Sequence, residues 1–168
     1  MPRTVSLTMR QALTDEASGE TPVVLVTITH PQLAEPIRLS TDPTERLSED
    51  PLAYGTRSRG EVYQFVMVSA VLPDDREAGV TTTSLVFENV GQGMVEQVRA
   101  IRTPARVDFA VVLASAADHV EMEWTDLRTV SASYDAGQIT IELTREPITD
   151  VPWPSGRMTK NRFPGLRR

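Results

Sequence analysis

Apolar and polar side chains alternate most clearly over three segments of this chain, and this alternation limits the fold more than any other feature. The segments are residues 106–113, 120–125 and 138–144. A period of two places successive side chains on opposite faces of an extended strand, with one face buried and the other in water. Such half-polar strands are typical of antiparallel sheets, so this part of the chain predicts an antiparallel β-fold.

Weaker strand patterns occupy much of the remaining chain. They cover residues 24–29, 37–40, 61–72, 80–90 and 127–134. The first two are expected to pair through the short loop 31–36, and Asp135-Ala136-Gly137 predicts a tight turn before the strand that begins at residue 138. The patterns together predict about seven or eight strands.

Two short stretches have helical periodicity. Residues 6–16 space Leu7, Met9 and Leu13 nearly as a helix does, and residues 92–101 place several apolar side chains on one helical face. The predicted fold class is therefore mainly β with one or two short helices. Its architecture is expected to be an antiparallel β-sandwich or partly closed barrel with a packed helix.

Charge divides the chain into a body and an arm. Residues 1–150 are expected to form a single β-rich domain, since domains typically run to about 100–200 residues. This body carries 12 basic and 23 acidic side chains, a net charge of −11, whereas residues 151–168 carry five basic and no acidic ones. The arm also contains three prolines and two glycines, so we expect an extended, basic C-terminal peptide.

Seven side chains of the arm are candidate contacts with another subunit. Two aromatic anchors and five cations would dock on the acidic surface of a neighbour. They are Trp153, Arg157, Lys160, Arg162, Phe163, Arg167 and Arg168. Two other interpretations stay open. One is a tether for single-stranded nucleic acid, which also alternates aromatic and basic residues, and the other is a frayed tail.

Residues 40–60 contain two prolines, many charges and little apolar periodicity. They predict a long loop, and a loop longer than about 15 residues in a compact domain is usually functional or mobile. We expect a neighbouring subunit to order it. Tyr54, Arg57 and Arg59 are therefore further candidate subunit contacts.

The sequence contains no pattern that predicts a catalytic or cofactor site, so we expect no enzyme activity and no cofactor. It has no cysteine and lacks the common nucleotide-binding, zinc-protease and nucleophile-elbow motifs. His30 and His119 are its only imidazoles, and neither has a metal-ligating partner four residues away. Each is expected to be a histidine at a strand end that bonds to backbone.

Two groups of acidic residues are candidates for a catalytic or a metal site, with simple solvation as the other interpretation. The first is Asp118, Glu121, Glu123 and Asp126, and the second is Asp42, Glu45, Glu49 and Asp50. The first suits a paired-carboxylate hydrolase, but such positions on a half-buried strand are expected to be solvated or to meet arginine across the sheet. The second lacks the ligand order of an EF-hand loop, so an ordinary charged loop is expected.

Location and partners are limited by hydropathy and charge. No apolar run approaches the ~20 residues that span a bilayer, and the first ten residues lack the apolar region of a signal peptide. We therefore expect a protein made in the cytoplasm with no membrane partner. The net charge of −6 argues against non-specific nucleic-acid binding by the whole protein.

Several segments, taken together in their order and spacing, resemble an uncharacterised family of phage and prophage tail proteins. They are the opening helix leading into Leu25-Val26-Thr27-Ile28-Thr29-His30-Pro31, then Leu33-Ala34-Glu35-Pro36-Ile37-Arg38, Leu72-Pro73-Asp74-Asp75, Phe87-Glu88-Asn89-Val90, Val111-Val112-Leu113-Ala114-Ser115 and Arg162-Phe163-Pro164-Gly165-Leu166. The resemblance spans nearly the whole chain. No functional residue is carried over, because the family itself is uncharacterised.

The resemblance implies a structural component of the tail of a long-tailed phage. The specific expectation is a distal tail protein, a hexameric ring that joins the tail tube to the baseplate hub. Its partners would be its own copies, the tail tube protein and the hub protein, with DNA only as cargo. It would lie at the distal end of the tail in the virion, and in the host cytoplasm before assembly.

Alternatives within the tail stay open. A tail tube, terminator or hub subunit has a related architecture, and a small carbohydrate-binding or hydrolase module of the tail tip belongs to a different class. This sequence lacks the second, carbohydrate-binding-like domain of longer distal tail proteins. A ring subunit needs exposed strand edges, interlocking arms and no catalytic apparatus, and an acidic channel would let DNA pass without adhering.

Overall fold

The computed structural model describes residues 5–70, 82–88, 101, 103–135 and 138–145. Within these residues one helix precedes ten strands. They are α1 (Leu7–Thr14), β1 (Pro22–Thr29), β2 (Ile37–Ser40), β3 (Glu45–Glu49), β4 (Leu52–Ser58), β5 (Glu61–Phe65), β6 (Met67–Ala70), β7 (Thr82–Glu88), β8 (Arg106–Leu113), β9 (Ala116–Tyr134) and β10 (Gln138–Arg145).

All ten strands belong to one sheet, in the order β3-β4-β5-β2-β1-β8-β9-β10-β7-β6. Each neighbouring pair is antiparallel except β2 and β5, which run parallel. The sheet is curled into a half-barrel. The predicted fold class, mainly β with a short packed helix in a partly closed barrel, is confirmed.

Strands β1 and β8 form the centre of the sheet and are buried on both faces. They pair over their full length, from Pro22 opposite Leu113 to Thr29 opposite Arg106. One face contributes to a large core that includes Val26 and Phe109. The other face contributes to a smaller core of Val23, Leu25, Tyr63, Ala110 and Val112. Two cores on one sheet require the sheet to curl, so that each face is covered by other parts of the chain.

The smaller core is closed by the hairpin of β4 and β5. Four strands separate β4 from β9 in the sheet order, yet the end of β4 contacts the start of β9. The Ser58 hydroxyl donates to the Ala117 carbonyl over 2.6 Å, and the Arg59 amide donates to the Asp118 carboxylate. Inside this curl the buried hydroxyls of Ser40 and Thr56 share a hydrogen bond of 2.7 Å. These bonds satisfy buried polar groups and hold the curl.

Helix α1 begins at an N-cap serine. The Ser6 hydroxyl accepts a hydrogen bond from the Met9 amide over 3.1 Å, and the Met9 side chain is buried in the large core. The predicted helix is confirmed, but the predicted apolar face is only partly buried. Leu7 is 71% exposed and Leu13 62% exposed, so a single apolar side chain of the helix is buried.

Strand β9 is 19 residues long and joins two segments predicted as separate strands. Register shifts in the pairing of β9 with β8 absorb the difference in residue number between these two strands. Asp126 of β9 has a positive φ of 63°. The predicted turn after β9 is consistent with the backbone bond from the Asp135 amide to the Gln138 carbonyl, 2.9 Å long. The chain thus returns directly into β10.

The long loop predicted over residues 40–60 is wrong, because this segment forms strands β3 and β4. Its charges pair across and along the hairpin: Arg46 lies 2.6 Å from Glu49 and Arg57 lies 3.4 Å from Glu45. The sequence does not predict these strands because they bury few apolar side chains. They are held instead by backbone pairing of β3 with β4 and of β4 with β5.

The single strand predicted over residues 61–72 is also wrong. Its described part is two strands, β5 and β6, which lie far apart in the sheet. The Val66 amide between them donates to the Ser40 carbonyl over 3.1 Å. Beyond it the chain crosses to the opposite edge, where β6 pairs with β7. The helix predicted at 92–101, apart from Ile101, and the arm 151–168 lie outside the described residues.

Candidate functional site

A groove opens where the parallel strands β2 and β5 separate. Only two residue pairs join these strands, Leu39 with Gln64 and Ser40 with Phe65. Towards the start of both strands the pairing stops, and a cavity of about 840 Å³ lies between them, walled on one side by the loop 31–36. We call this cavity the β2–β5 groove.

Each wall of the groove is a strand whose ladder partners lie on its far side. Ile37 and Arg38 of β2 pair with β1, and Glu61 and Val62 of β5 pair with β4. The edges that face the groove can therefore accept further main-chain hydrogen bonds. Open strand edges of this kind bind extended peptides by strand addition.

The side chains of the groove combine charge with apolar surface. The Arg38 guanidinium reaches across it to the Glu61 carboxylate over 3.1 Å. Glu35 is exposed at the rim, which leaves one more carboxylate than cations among the lining residues. Leu33, Ile37 and Val62 supply apolar contacts, and Val62 is 47% exposed. Such a lining suits a peptide that carries both basic and apolar side chains.

The three predicted contact residues of the 40–60 segment all lie on or next to β4. Tyr54 is 41% exposed and lies on the same strand face as the buried Thr56, beyond the end of the smaller core. Arg57 is on the opposite face, where its guanidinium pairs with Glu45. Arg59 stands in the two-residue turn between β4 and β5 and has a φ of 52°. The structure thus brings them to one hairpin but does not gather them into one patch.

The two ends of the sheet differ in chemistry. Strand β3 at one end carries three charged side chains and an irregular register opposite β4. Strand β6 at the other end has the uncharged sequence Met67-Val68-Ser69-Ala70, and Met67 is 54% exposed. Charges and bulges are devices that discourage edge pairing. Among the described strands, β6 is therefore the sheet end whose own residues show neither device.

Among the described ionisable groups, Glu121 on β9 has the clearest shift of pKa. Its carboxylate accepts two hydrogen bonds from Ser6, one from the amide over 2.8 Å and one from the hydroxyl over 2.5 Å. Burial alone would raise the pKa of Glu121, but these bonds, with His119 at 3.9 Å, outweigh it and hold the pKa below its ordinary value of 4.5. Glu121 is therefore a structural carboxylate that holds α1, and the solvated position predicted for it is wrong.

Two other acidic residues of the first group also have local partners. Asp126 lies 3.0 Å from Arg106 on β8, and its amide donates to Asp108 over 2.8 Å. Asp118 accepts from the Arg59 amide. Glu121, Asp126 and Asp118 are therefore each engaged with a different part of the chain.

The two histidines have different environments. His30 is buried: its Nδ1 accepts from the Gln32 amide over 3.1 Å, and its Nε2 lies 2.6 Å from the Thr103 hydroxyl. The first bond assigns the proton to Nε2. This matches the prediction of a strand-end histidine bonded to backbone. The His119 side chain is 67% exposed beside Glu121.

The second acidic group belongs to the β3–β4 hairpin. The two oxygens of Asp42 accept from the amide and the hydroxyl of Thr44, over 3.1 and 2.7 Å. Glu45 and Glu49 pair with arginines, as described above. No set of three or more potential metal ligands comes together in the described part of the chain. No helix among the described residues is long and apolar enough to span a membrane.

Comparison with known families places the chain in a family of unestablished function. The model of the domain of unknown function DUF1833 matches residues 8–158. The chain belongs to the DUF1833 family. No curated protein matches it. The match begins within α1 and takes in all ten described strands of this DUF1833 protein, so it covers the whole half-barrel.

Sequence reasoning missed the β2–β5 groove of this DUF1833 protein. The one available signal was the pair of prolines, Pro31 and Pro36, that brackets the loop in its wall. The parallel pairing of β2 with β5 has no local signature, because it joins strands separated by the β3–β4 hairpin. The predicted contacts Trp153, Arg157, Lys160, Arg162, Phe163, Arg167 and Arg168 lie outside the described residues.

Proposed function

We propose that this DUF1833 protein is a structural component of a phage tail, specifically a distal tail protein that forms a hexameric ring between the tail tube and the baseplate hub. The observation that carries the proposal is the ten-stranded half-barrel with two different open ends, β3 and β6. A subunit whose two ends differ suits a head-to-tail contact, and repeated head-to-tail contacts close into a ring.

The chemistry of the described residues supports an assembly role. The ionisable groups nearest to a catalytic arrangement, Glu121 and Asp126, are engaged in holding α1 and in pairing with Arg106. The exposed apolar side chains Leu52, Tyr54 and Met67 lie on or near the ends of the sheet, where a neighbour would cover them. The sequence resemblance to phage tail proteins supports the same role.

The charge of the body supports the proposed channel. The first 150 residues carry a net charge of −11. A lumen lined by carboxylates repels DNA phosphates and so lets DNA pass without binding. In the ring we propose, DNA is cargo and the tube and hub proteins are the binding partners, at the distal end of the virion tail.

Electron microscopy of the purified full-length chain, alone and mixed with the tube and hub proteins encoded beside it, tests the proposal. We expect rings with six-fold symmetry that bind between the tube and the hub. A ring at the head-proximal end would favour a terminator, and a continuous stack would favour a tube protein. A well-folded monomer that binds neither protein but binds a glycan would overturn the proposal in favour of a tail-tip binding module.

A further inference from the structure

We propose that the β2–β5 groove is the docking site for the C-terminal arm, residues 151–168, of a neighbouring copy of this chain. The inference rests on the proposed assembly function and names the contact that would lock adjacent subunits. The occupant is a peptide of defined chemistry: extended, basic and anchored by aromatic side chains.

The open walls of the groove require an extended occupant. Main-chain groups of Ile37–Arg38 on one side and residues 61–62 on the other have their ladder partners on the far side of each strand, so an extended chain that enters the cavity can pair with either wall. The arm segment 155–163 has nine consecutive residues without proline. It therefore has enough amide groups to pair along one wall, where three strand residues cover about 10 Å at ~3.3 Å each.

The last described strand, β10, ends on the side of the sheet where the groove lies. One row of paired residues runs from Arg145 at the end of β10 through Leu127, Val107 and Ile28 to Ile37 at the groove wall. This row crosses four strand spacings of about 4.8 Å, or roughly 19 Å. The 23 residues that follow Arg145 reach up to about 75 Å when extended at ~3.3 Å each. The arm is thus long enough to leave its own subunit.

The arm and the groove are complementary in both charge and apolar surface. The arm carries five cations and no carboxylate, and the body carries −11. In the groove Arg38 is already paired with Glu61, so Glu35 is the carboxylate available to an arm cation. Trp153 or Phe163 would cover the exposed Val62. We assign the arm to a neighbouring copy because body and arm of opposite sign make every copy complementary to the next, as a ring requires.

Disulfide trapping in the full-length chain tests the inference. The sequence has no cysteine, so no native thiol forms a competing disulfide. One copy carries Val62→Cys and the other carries Phe163→Cys, and the two are mixed and oxidised. A disulfide needs the two Cβ atoms within about 4.5 Å. Docking raises the effective concentration of the thiols, so we expect about tenfold or more covalent heterodimer than with a control. The matched control replaces Val62→Cys with Leu13→Cys, a position on α1 that is more exposed, 62% against 47%, so accessibility alone would favour the control.

Equal yields for Val62→Cys and the Leu13→Cys control at every arm position tested would overturn the inference. So would an intramolecular bridge in a dilute double variant carrying both cysteines, because the arm would then dock on its own subunit. To cover a poor choice of arm position, Trp153→Cys and Arg157→Cys are tested in the same way. Failure at all three positions rejects the groove as the docking site.

The cross-linking result is independent of the imaging that tests the proposed function. Six-fold rings without the trapped heterodimer would leave the function standing and remove the groove contact. A trapped heterodimer without rings or partner binding would leave the contact standing and remove the distal tail assignment.

Discussion

Ser6 and Glu121 are 115 residues apart in the sequence and are joined by two hydrogen bonds, from the amide and the hydroxyl of Ser6 to the two oxygens of the Glu121 carboxylate. The same hydroxyl accepts from the Met9 amide and caps α1. One carboxylate on β9 therefore orients the first turn of the helix. Met9 is the helix side chain that is buried, and the Ser6–Glu121 contact is the main polar link between the helix and the sheet.

We expect Glu121→Ala to lower the free energy of unfolding by about 1–3 kcal/mol, because it leaves the Ser6 amide and hydroxyl without their acceptor in a partly buried site. Chemical denaturation measures the change. Glu123→Ala is the matched control, an exposed carboxylate two residues along the same strand, and it should stay within about 0.5 kcal/mol of wild type. Equal effects of the two substitutions would contradict the role of Glu121.

The Ser6–Glu121 contact also predicts a dependence of stability on pH. The pKa of Glu121 is lowered in the folded protein, so the unfolded state binds the proton more readily. The stabilisation is therefore fully present above the ordinary pKa of 4.5 and is lost as the pH falls through the lower, folded value. Denaturation curves between pH 3 and 7 of wild type and Glu121→Gln should converge on the acid side. A constant difference between them would contradict this prediction.

We expect Gly55→Ala to destabilise the β4–β5 hairpin, since an added Cβ would lie 1.9 Å from the Tyr63 carbonyl oxygen and 2.7 Å from a Leu47 methyl group. The backbone must move to relieve such overlap, at a cost of about 1–3 kcal/mol. Gly19→Ala is the control, because its Cβ would meet no atom within 4 Å. Thermal unfolding of both variants measures the difference, and a loss as large for Gly19→Ala would refute the steric explanation.

Closure of the smaller core depends on the bond from the Ser58 hydroxyl to the Ala117 carbonyl. Ser58→Ala should cost about 1 kcal/mol. It should also speed amide hydrogen exchange in β4 and β5 more than in β10. Ser69→Ala, an exposed serine on β6, serves as control. Exchange that rises equally in all three strands would indicate global destabilisation instead of local opening.

Exposed apolar side chains at the β3–β4 end should affect assembly without affecting folding. Leu52→Ser with Tyr54→Ser should change the free energy of unfolding by less than about 0.5 kcal/mol, because both side chains are exposed and neither belongs to the large or the smaller core. Ring formation, followed by light scattering or electron microscopy, should be lost. Val130→Ser, 62% exposed on β9, should assemble normally. Normal rings from the double variant would exclude this end of the sheet as an interface.

Local side-chain patterns were enough to predict strands that have one buried face and the start of α1. Alternating side chains predicted β10, because burial of one face is a local property of every second residue. The same pattern predicted β8 as a strand, but not that both of its faces are buried. The N-terminal helix was predicted in the same way, from local spacing, although which of its side chains are buried was not.

The strands at 45–58, the split of 61–72 and the burial of Glu121 were not predictable from local patterns. The first are held by backbone pairing among β3, β4 and β5, which side-chain periodicity does not reveal. The other two depend on partners that are distant in sequence, β7 and the Ser6 hydroxyl. The β2–β5 groove has the same origin. It exists because a parallel pair stops after two residue pairs, and strand order and pairing length depend on how the whole sheet curls around its two cores.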